Sequence, residues 1–280
     1  MDAQEIINRY AAGERNFSKA NLRGADLSQA NLSGAILREV SLSVSNLRQA
    51  NLSRSDLQGA NLCWADLTGA DLSGIGLRDA DLSRANLGGA NLRGADLWFA
   101  SLSGANLVEA NLMGADLRLA HLNNALLDDA CLSRANLWLA DLDEASLENA
   151  DLNRASLWFS NLSGANLSAA NISGAYLRRA NISRANLSRA NLRKANLHGA
   201  NLNQANLGEA NLSGTDLSQT DMSNADLGGA ILRASDLSKA NLSGANLSGA
   251  DLSGATVSQV QLGTANSLTG AILPDGAKLD

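Results

Sequence analysis

The residues that could carry acid–base, nucleophilic or redox chemistry are few in this sequence of 280 residues. It has two histidines, His121 and His198, and two cysteines, Cys63 and Cys131. Two cysteines are too few for a disulfide scaffold or a cysteine-based metal cluster. We expect no nucleophile and no pair of carboxylates to converge on either histidine, and the glycines form no phosphate-binding loop. The sequence therefore predicts a protein that is not an enzyme, with no catalytic residues, no cofactor and no metal site.

The composition excludes further classes. Hydrophobic residues make up 45% of the chain but aromatic residues only 3%, so the apolar content is almost all Leu and Ala, which excludes an ordinary mixed core. The net charge of −6 weighs against a general nucleic-acid binder. No apolar run approaches the roughly 18 residues of a membrane span, and the first residues do not resemble a secretory signal. We expect a cytoplasmic protein that contacts neither membrane nor nucleic acid.

A five-residue repeat occupies most of the chain. From Phe17 to Leu262, 50 consecutive pentapeptides keep one register, and their central residue, position i, is Leu in 45 of them. Position i−2 is Ala in 40 pentapeptides, and position i−1 is Asn in 23 and Asp in 14. Asn and Asp side chains can satisfy the backbone groups of a turn, and stacked Asn side chains can form amide ladders.

A period of five fits neither regular secondary structure. On an α-helix, steps of five turn each Leu by about 140° from the last, so the leucines form no stripe. On a strand, an odd spacing sends alternate leucines to opposite faces. The chain must instead bend once per pentapeptide, so that each Leu returns to a common interior and each small Ala lets the wall close in.

The pentapeptides read A-(N/D)-L-x-x, as in the run from Ala240 to Ala255, and on these residues the chain resembles the pentapeptide-repeat family. The segments RYAAGERNF, from Arg9, and LTGAILPDG, from Leu268, are similar to those that flank cyanobacterial members, among them a heterocyst regulator. The resemblance covers residues 15–264. It implies an all-β fold: a right-handed quadrilateral parallel β-helix, a solenoid with one pentapeptide per side and about 12 coils.

The ends of the solenoid need caps, because open ends expose unpaired backbone. Residues 1–14 are predicted to form an N-terminal capping helix that Gly13 ends, residues 15–264 the β-helix, and residues 265–280 a C-terminal cap or tail. The register slips by one residue at Ser267. The apolar residues at helical spacing in the first segment are Ala3, Ile6, Ile7, Tyr10 and Ala11.

If a coil takes twenty residues, positions twenty apart lie on the same face. Five of the seven Trp and Phe residues then fall in the i+1 and i+2 columns of one face, and Tyr176 follows on that face. Exposed apolar clusters rimmed by arginine are typical of protein-binding hot spots, whereas a purely structural ladder of stacked side chains is the alternative. Trp64 stands alone on the next face. The predicted partner-binding residues are Trp98, Phe99, Arg118, Leu119, Trp138, Leu139, Trp158, Phe159, Tyr176, Arg178 and Arg179.

Charge is also divided by face. The face that carries Leu127 and Leu147 has an excess of acidic residues, and the face that carries Leu132 and Leu152 has an excess of basic ones. Such asymmetry can steer an encounter with a charged partner, or it can simply be solvated surface. The densest acidic group is Asp128, Asp129 and Glu148, for which no dedicated metal site is predicted. The basic residues of the second face are Arg54, Arg93, Arg134, Arg154, Arg193, Lys194 and Arg233.

These patterns favour a non-enzymatic structural or regulatory scaffold that binds a partner protein through its side faces. The resemblance also implies an alternative, because some members of the family mimic duplex DNA and inhibit or protect DNA gyrase. This chain lacks the continuous acidic surface and the C-terminal dimerising helix that are typical of those mimics. A third possibility is self-association through the aromatic face.

Overall fold

The computed structural model describes all 280 residues. The chain divides into two compact units, the N-terminal unit of residues 1–141 and the C-terminal unit of residues 142–280. Two helices are present, α1 (Ala3–Ala11) and α2 (Gln259–Leu262). Neither has the length and apolar character that a membrane span requires.

Parallel bridges join residues that lie twenty positions apart in both units. Asp96 pairs with Asp116 in the N-terminal unit, and Asn166 pairs with Asn186 in the C-terminal unit. The pentapeptides from the one centred on Phe17 to the one centred on Leu252 place their bridged residue at position i−1 and a two-residue turn at positions i+1 and i+2. Four pentapeptides therefore complete one coil within each unit, as the sequence predicts.

The β-structure consists of isolated bridges, and no segment is long enough to be a strand. The reason is the two-residue turn, which interrupts the pairing once in every pentapeptide. The predicted β-helix is thus present in each unit as parallel bridges between successive coils and without extended strands, and the right-handed winding and the count of about 12 coils stay predictions.

The pentapeptide centred on Leu97 satisfies all five of its backbone N–H groups. The amide at i−1 donates to the preceding coil, with Asp96 N 2.9 Å from Ile75 O. The amides at i and i+2 donate to the following coil, with Leu97 N 2.8 Å from Asp116 O and the amide of residue 99 lying 3.0 Å from the carbonyl of residue 118. The amide at i−2 closes the turn on the preceding Leu, at 2.9 Å. The fifth amide, at i+1, donates to the carboxylate of Asp96. The Asn or Asp at i−1 therefore supplies an acceptor that the backbone lacks.

The core of each unit is a column of Leu and Ala side chains. Leu117 and Ala120 in the N-terminal unit are fully buried, and so are Leu187 and Ala190 in the C-terminal unit. Small polar residues that replace Ala stay buried because their hydroxyl groups find a carbonyl, as Ser160 does by donating to Leu157 O at 2.7 Å. The interior is therefore apolar, and chemistry is confined to the outward positions i−1, i+1 and i+2.

Helix α1 caps the N-terminal unit, as predicted. Asp2 is its N-cap and accepts a hydrogen bond from Glu5 N, and Ile6 is fully buried. Tyr10 fixes the helix to the first coil by donating its hydroxyl to Ser33 O at 2.7 Å. The helix ends at Ala11, two residues before Gly13, which adopts a positive φ of 97°.

The C-terminal unit ends differently from the prediction. Helix α2 occupies Gln259–Leu262, inside the segment that the sequence register assigns to the repeat. A capping box of Ser258 and Gln261 starts this helix. Beyond it the bridges span 21 residues, as between Asn246 and Ser267, which confirms the register slip. An antiparallel bridge between Ile272 and Lys278 then closes the unit.

Candidate functional site

Large apolar side chains point outward in both units at the turns of one sequence column. In the N-terminal unit we call Trp98, Phe99, Leu119, Trp138 and Leu139 the N-terminal patch. In the C-terminal unit we call Trp158, Phe159, Tyr176, Arg178 and Arg179 the C-terminal patch. Of the six aromatic residues in these patches, Trp98 is half-buried. The other five are between 38% and 49% exposed.

The backbone makes these positions costly for large side chains. The residue at i+2 has a positive φ, 57° at Phe99 and 59° at Phe159, while the residue at i+1 does not. Together with the hydrogen bond that closes the turn, this fits a type II turn, whose second central residue favours Gly or Asn. Six large apolar residues nevertheless occupy this position, and four of them belong to the two patches: Val44, Trp64, Phe99, Leu119, Leu139 and Phe159.

In the N-terminal patch the rings contact one another at their edges. The centroids of Trp98 and Phe99 lie 6.0 Å apart, and the ring of His121 meets Phe99 edge-on at 5.8 Å. His121 was not among the predicted site residues. It lies at position i−1 on the neighbouring face, one coil beyond Ser101. Backbone hydrogen bonds stack the turns, with Leu119 N donating to Trp138 O at 3.0 Å.

Arg118 does not cover a ring of the N-terminal patch. Its guanidinium donates two hydrogen bonds to Asp116, from Nε to Oδ1 at 2.8 Å and from Nη2 to Oδ2 at 2.6 Å. Burial acts to raise the pKa of the Asp116 carboxyl, but the hydrogen bonds and charge of Arg118 outweigh it and hold that pKa below its ordinary value. The same contacts raise the pKa of Arg118. This arginine is neutralised within its own pentapeptide.

Further ion pairs neutralise the same face toward the start of the N-terminal unit. Arg38 donates to Asp56 at 2.6 Å, and Arg78 donates to Asp96. A shallow groove of about 240 Å³ lies between these pairs, where Gly76 replaces the usual Asn or Asp. The N-terminal patch is therefore an apolar surface beside paired charges.

The C-terminal patch has unpaired arginines over its rings. Arg178 lies with its guanidinium carbon 5.8 Å from the ring centroid of Trp158, and Arg179 lies 5.9 Å from that of Phe159. Neither arginine forms an ion pair. Tyr176 stands at position i−1, where Asn or Asp otherwise accepts the turn hydrogen bond, and its side chain is 49% exposed. This patch thus offers rings and free positive charge together.

Contrary to the sequence prediction, His198 does have a hydroxyl and a carboxylate beside it. Its Nδ1 lies 2.8 Å from Ser218 Oγ, and that hydroxyl donates to Asp216 Oδ1 at 2.5 Å. The prediction missed this cluster because it did not pair the outward residues at positions 198 and 218, which are twenty apart. The hydroxyl proton points to the aspartate, so the histidine is not placed to withdraw it as a general base would. Because the serine has only one proton, Nδ1 is the donor of its hydrogen bond.

No group of three or more His, Cys, Asp or Glu side chains is arranged to hold a metal ion. Cys63 and Cys131 are free thiols, and burial raises the pKa of Cys63. Trp64, outside both patches, is the most exposed tryptophan, at 55%, and Arg84 lies over its ring at 5.0 Å. The two patches hold six of the thirteen exposed large hydrophobic residues of the chain.

Comparison with known proteins agrees with this geometry. A family model described as pentapeptide repeats matches the chain over the segments 16–43, 45–84, 80–118, 120–158, 160–199, 195–233 and 230–266. No curated protein matches the chain.

Several solved structures are similar to it. HetL, a pentapeptide repeat protein involved in heterocyst differentiation regulation in the cyanobacterium Nostoc sp. strain PCC 7120, is 37% identical over 99% of both chains, with a TM-score of 0.32. A pentapeptide repeat protein of the Arabidopsis thaliana thylakoid lumen is 32% identical over 40% of this chain and 68% of its own, with a TM-score of 0.24. The plasmid-mediated fluoroquinolone resistance protein QnrB1 is 20% identical over 71% of this chain and 87% of its own, with a TM-score of 0.27.

Proposed function

The chain belongs to the pentapeptide-repeat family, and we propose that within it this protein is a non-enzymatic scaffold that binds a partner protein through its two aromatic patches. The observation that carries the proposal is the placement of large apolar side chains at the left-handed turn position. Phe99 and Phe159 accept an unfavourable backbone conformation there and still leave 49% and 44% of their surface in water.

A purely structural role explains this placement less well. An L-residue in the left-handed region costs about 1–2 kcal/mol, whereas stacking an outward side chain on its neighbour returns about 0.2–1 kcal/mol. Glycine fills the same turn position at Gly94 and Gly174 without that cost. Binding of a partner would bury the exposed rings and return more, since apolar burial contributes about 25 cal/mol per Å².

The two patches make different demands on the partner. The N-terminal patch lies beside neutralised ion pairs, so it suits an apolar surface of the partner. In the C-terminal patch Arg178 and Arg179 lie over Trp158 and Phe159, and a carboxylate on the partner would complete these cation–π stacks. Rings and arginines are the residue types that dominate protein-binding hot spots.

The family alternative, a mimic of duplex DNA, has less support. A mimic of DNA needs a continuous acidic surface, because DNA carries a negative charge about every 1.7 Å along its axis. The C-terminal unit instead carries Arg154, Arg178, Arg193 and Lys194 without ion-pair partners.

Affinity capture from a native extract tests the proposal with two variants. The double variant Trp138→Ser/Trp158→Ser removes one ring from each patch, and Trp64→Ser removes an exposed ring elsewhere as the matched control. We expect both to keep the wild-type melting temperature to within a few degrees, because none of the three side chains is buried. The double variant should lose the partner that wild type and Trp64→Ser retain.

Equal recovery by all three proteins would overturn the proposal. Light scattering over a concentration series identifies the partner as a second copy if the mass of the purified wild type rises and that of the double variant does not.

A further inference from the structure

In one segment of this acidic chain, every charged residue is basic. Residues 152–208 contain seven Arg and Lys residues and no Asp or Glu, although the whole chain has a net charge of −6. The segment lies within the C-terminal unit, between Asp151 and Glu209. Its cations are Arg154, Arg178, Arg179, Arg184, Arg189, Arg193 and Lys194.

The cations of this segment also lack internal partners. Outside the segment, five arginines pair with aspartates, and one of them, Arg233, donates to Asp251 at 2.6 Å. None of the ion pairs in the structure involves a residue of the basic segment. Like charges thus stand together without a counter-charge, an arrangement that an anionic ligand would relieve.

Three of these side chains line one surface groove of about 400 Å³, which we call the basic groove: Arg154, Arg193 and Lys194. The floor of the groove is Gly174, and the Cγ of Arg154 lies 3.5 Å from the position that a β-carbon on that residue would occupy. Arg154 therefore leans along the groove over the glycine toward the coil that carries the other two cations. A larger residue at position 174 would meet the stem of Arg154.

The polar groups beneath the cations are already satisfied. Asn153 donates to the carbonyl and the hydroxyl of Ser173, at 2.9 and 2.8 Å, and Ser173 donates to Asn171. Gly174 N donates to Arg193 O at 2.9 Å. The donors that remain available in the groove are the two guanidinium groups and the ammonium group, so the groove favours an anionic ligand.

From this arrangement we infer that the basic groove binds an acidic polypeptide segment, with carboxylates held by Arg154, Arg193 and Lys194. The planar guanidinium fork matches a carboxylate with two parallel hydrogen bonds. A single-stranded nucleic acid fits less well, because such strands bind by stacking bases on aromatic rings, and no ring lines the groove.

This inference is independent of the proposed function, because no residue of the aromatic patches lines the groove. The direct test is fluorescence anisotropy of a fluorescein-labelled hexaglutamate peptide titrated with the full-length protein at low salt. The variant Arg154→Gln/Lys194→Gln removes two cations of the groove. The matched control Arg54→Gln/Arg93→Gln removes two unpaired cations from the same sequence column in the N-terminal unit.

We expect hexaglutamate to bind wild type and control alike, with a Kd that rises at least fivefold in Arg154→Gln/Lys194→Gln and with affinity that falls as salt increases. A circular-dichroism melt of each protein establishes that the variants are folded. The inference is overturned if hexaglutamate does not bind, if both variants weaken binding equally, or if labelled hexathymidylate binds more tightly than the peptide.

Discussion

At the scale of single residues, position i+2 of each turn is a place where a side chain can serve binding while it lowers the stability of the fold. Its left-handed backbone conformation favours glycine, and the charged residue Lys239 adopts it at a φ of 62° just as Phe159 does at 59°. Any side chain at this position raises the free energy of the folded state, so its presence has to be explained by what it contacts. The ring of Phe159 lies 5.9 Å from the guanidinium carbon of Arg179.

Phe159→Gly should therefore leave the free energy of unfolding unchanged or raise it by up to about 1 kcal/mol, because relief of the left-handed strain offsets the lost cation–π contact. Lys239→Gly, in the same unit and at the same turn position, is the control and should show a similar gain. Urea unfolding of both variants measures the effect, and only Phe159→Gly should weaken partner capture. A loss of more than about 1 kcal/mol in Phe159→Gly alone would mean that the ring is structural.

The contacts between outward side chains of adjacent coils follow largely from the twenty-residue spacing. Each cation–π pair of the outward columns joins residues twenty apart, as Arg178 with Trp158 and Arg84 with Trp64 do. The orientation of Arg118 could not be predicted in the same way. Both a ring and a carboxylate lie within its reach, and the charge-assisted hydrogen bonds to Asp116 are the stronger contact.

At the scale of the pentapeptide, Asn and Asp at position i−1 do the same structural work by different chemistry. Both accept the hydrogen bond of the i+1 amide. Asn also donates to the preceding coil, so that Asn206, Asn186 and Asn166 form a ladder with two contacts of 3.1 Å. Asp cannot donate when ionised, but it attracts hydroxyl and guanidinium donors, as Asp251 does from Ser253 and Arg233. The amide ladder is thus independent of pH, whereas the aspartates are sensitive to acid.

The hydrogen bond from the Ser253 hydroxyl is the largest of the effects that lower the pKa of Asp251, and a hydrogen bond from Ser238 lowers that of Asp236 in the same way. Because the pKa is lower in the folded state, the ionised aspartate stabilises that state at pH values above the ordinary aspartate pKa of about 3.9. This stabilisation disappears as the pH falls through the pKa of the folded state. Asp236→Asn/Asp251→Asn should therefore be less stable than wild type at pH 7, by about 1–2 kcal/mol, and the difference should vanish near pH 2.

Urea unfolding at a series of pH values measures this difference. Asp129→Asn replaces an exposed aspartate at a turn position and is the control. A gap between wild type and the double variant that stays constant from pH 7 to pH 2 would contradict the assignment of acid sensitivity to position i−1.

The end caps show which elements were predictable from the sequence. Helix α1 was predictable because its apolar residues follow helical spacing and lie outside the repeat. Helix α2 was not predicted, because Val257 and Leu262 continue the five-residue register through it. The signal that could have found it is the capping-box pattern of Ser258 and Gln261.

At the scale of the whole molecule, the regular core leaves function to the few outward positions that depart from Asn, Asp, Ser and Gly. The interior repeats buried Leu and Ala side chains in both units. The departures that matter are the large apolar side chains of the two patches and the unpaired cations of the basic groove. The sequence predicted the residues of the patches and placed Arg154, Arg193 and Lys194 on the basic face, whereas the structure shows that these three line one groove and form no ion pair.

The central claim is that the outward rings are free in the isolated protein and become buried in a complex. Acrylamide quenching of a variant that keeps Trp138 as its one tryptophan, with the other three changed to Phe, measures this directly, and a variant that keeps only Trp64 is the control. We predict that Trp138 is readily quenched in the free protein and becomes protected when the captured partner is added, while Trp64 does not change. Trp138 that is shielded before the partner is added, or that stays equally accessible in the complex, would contradict the account.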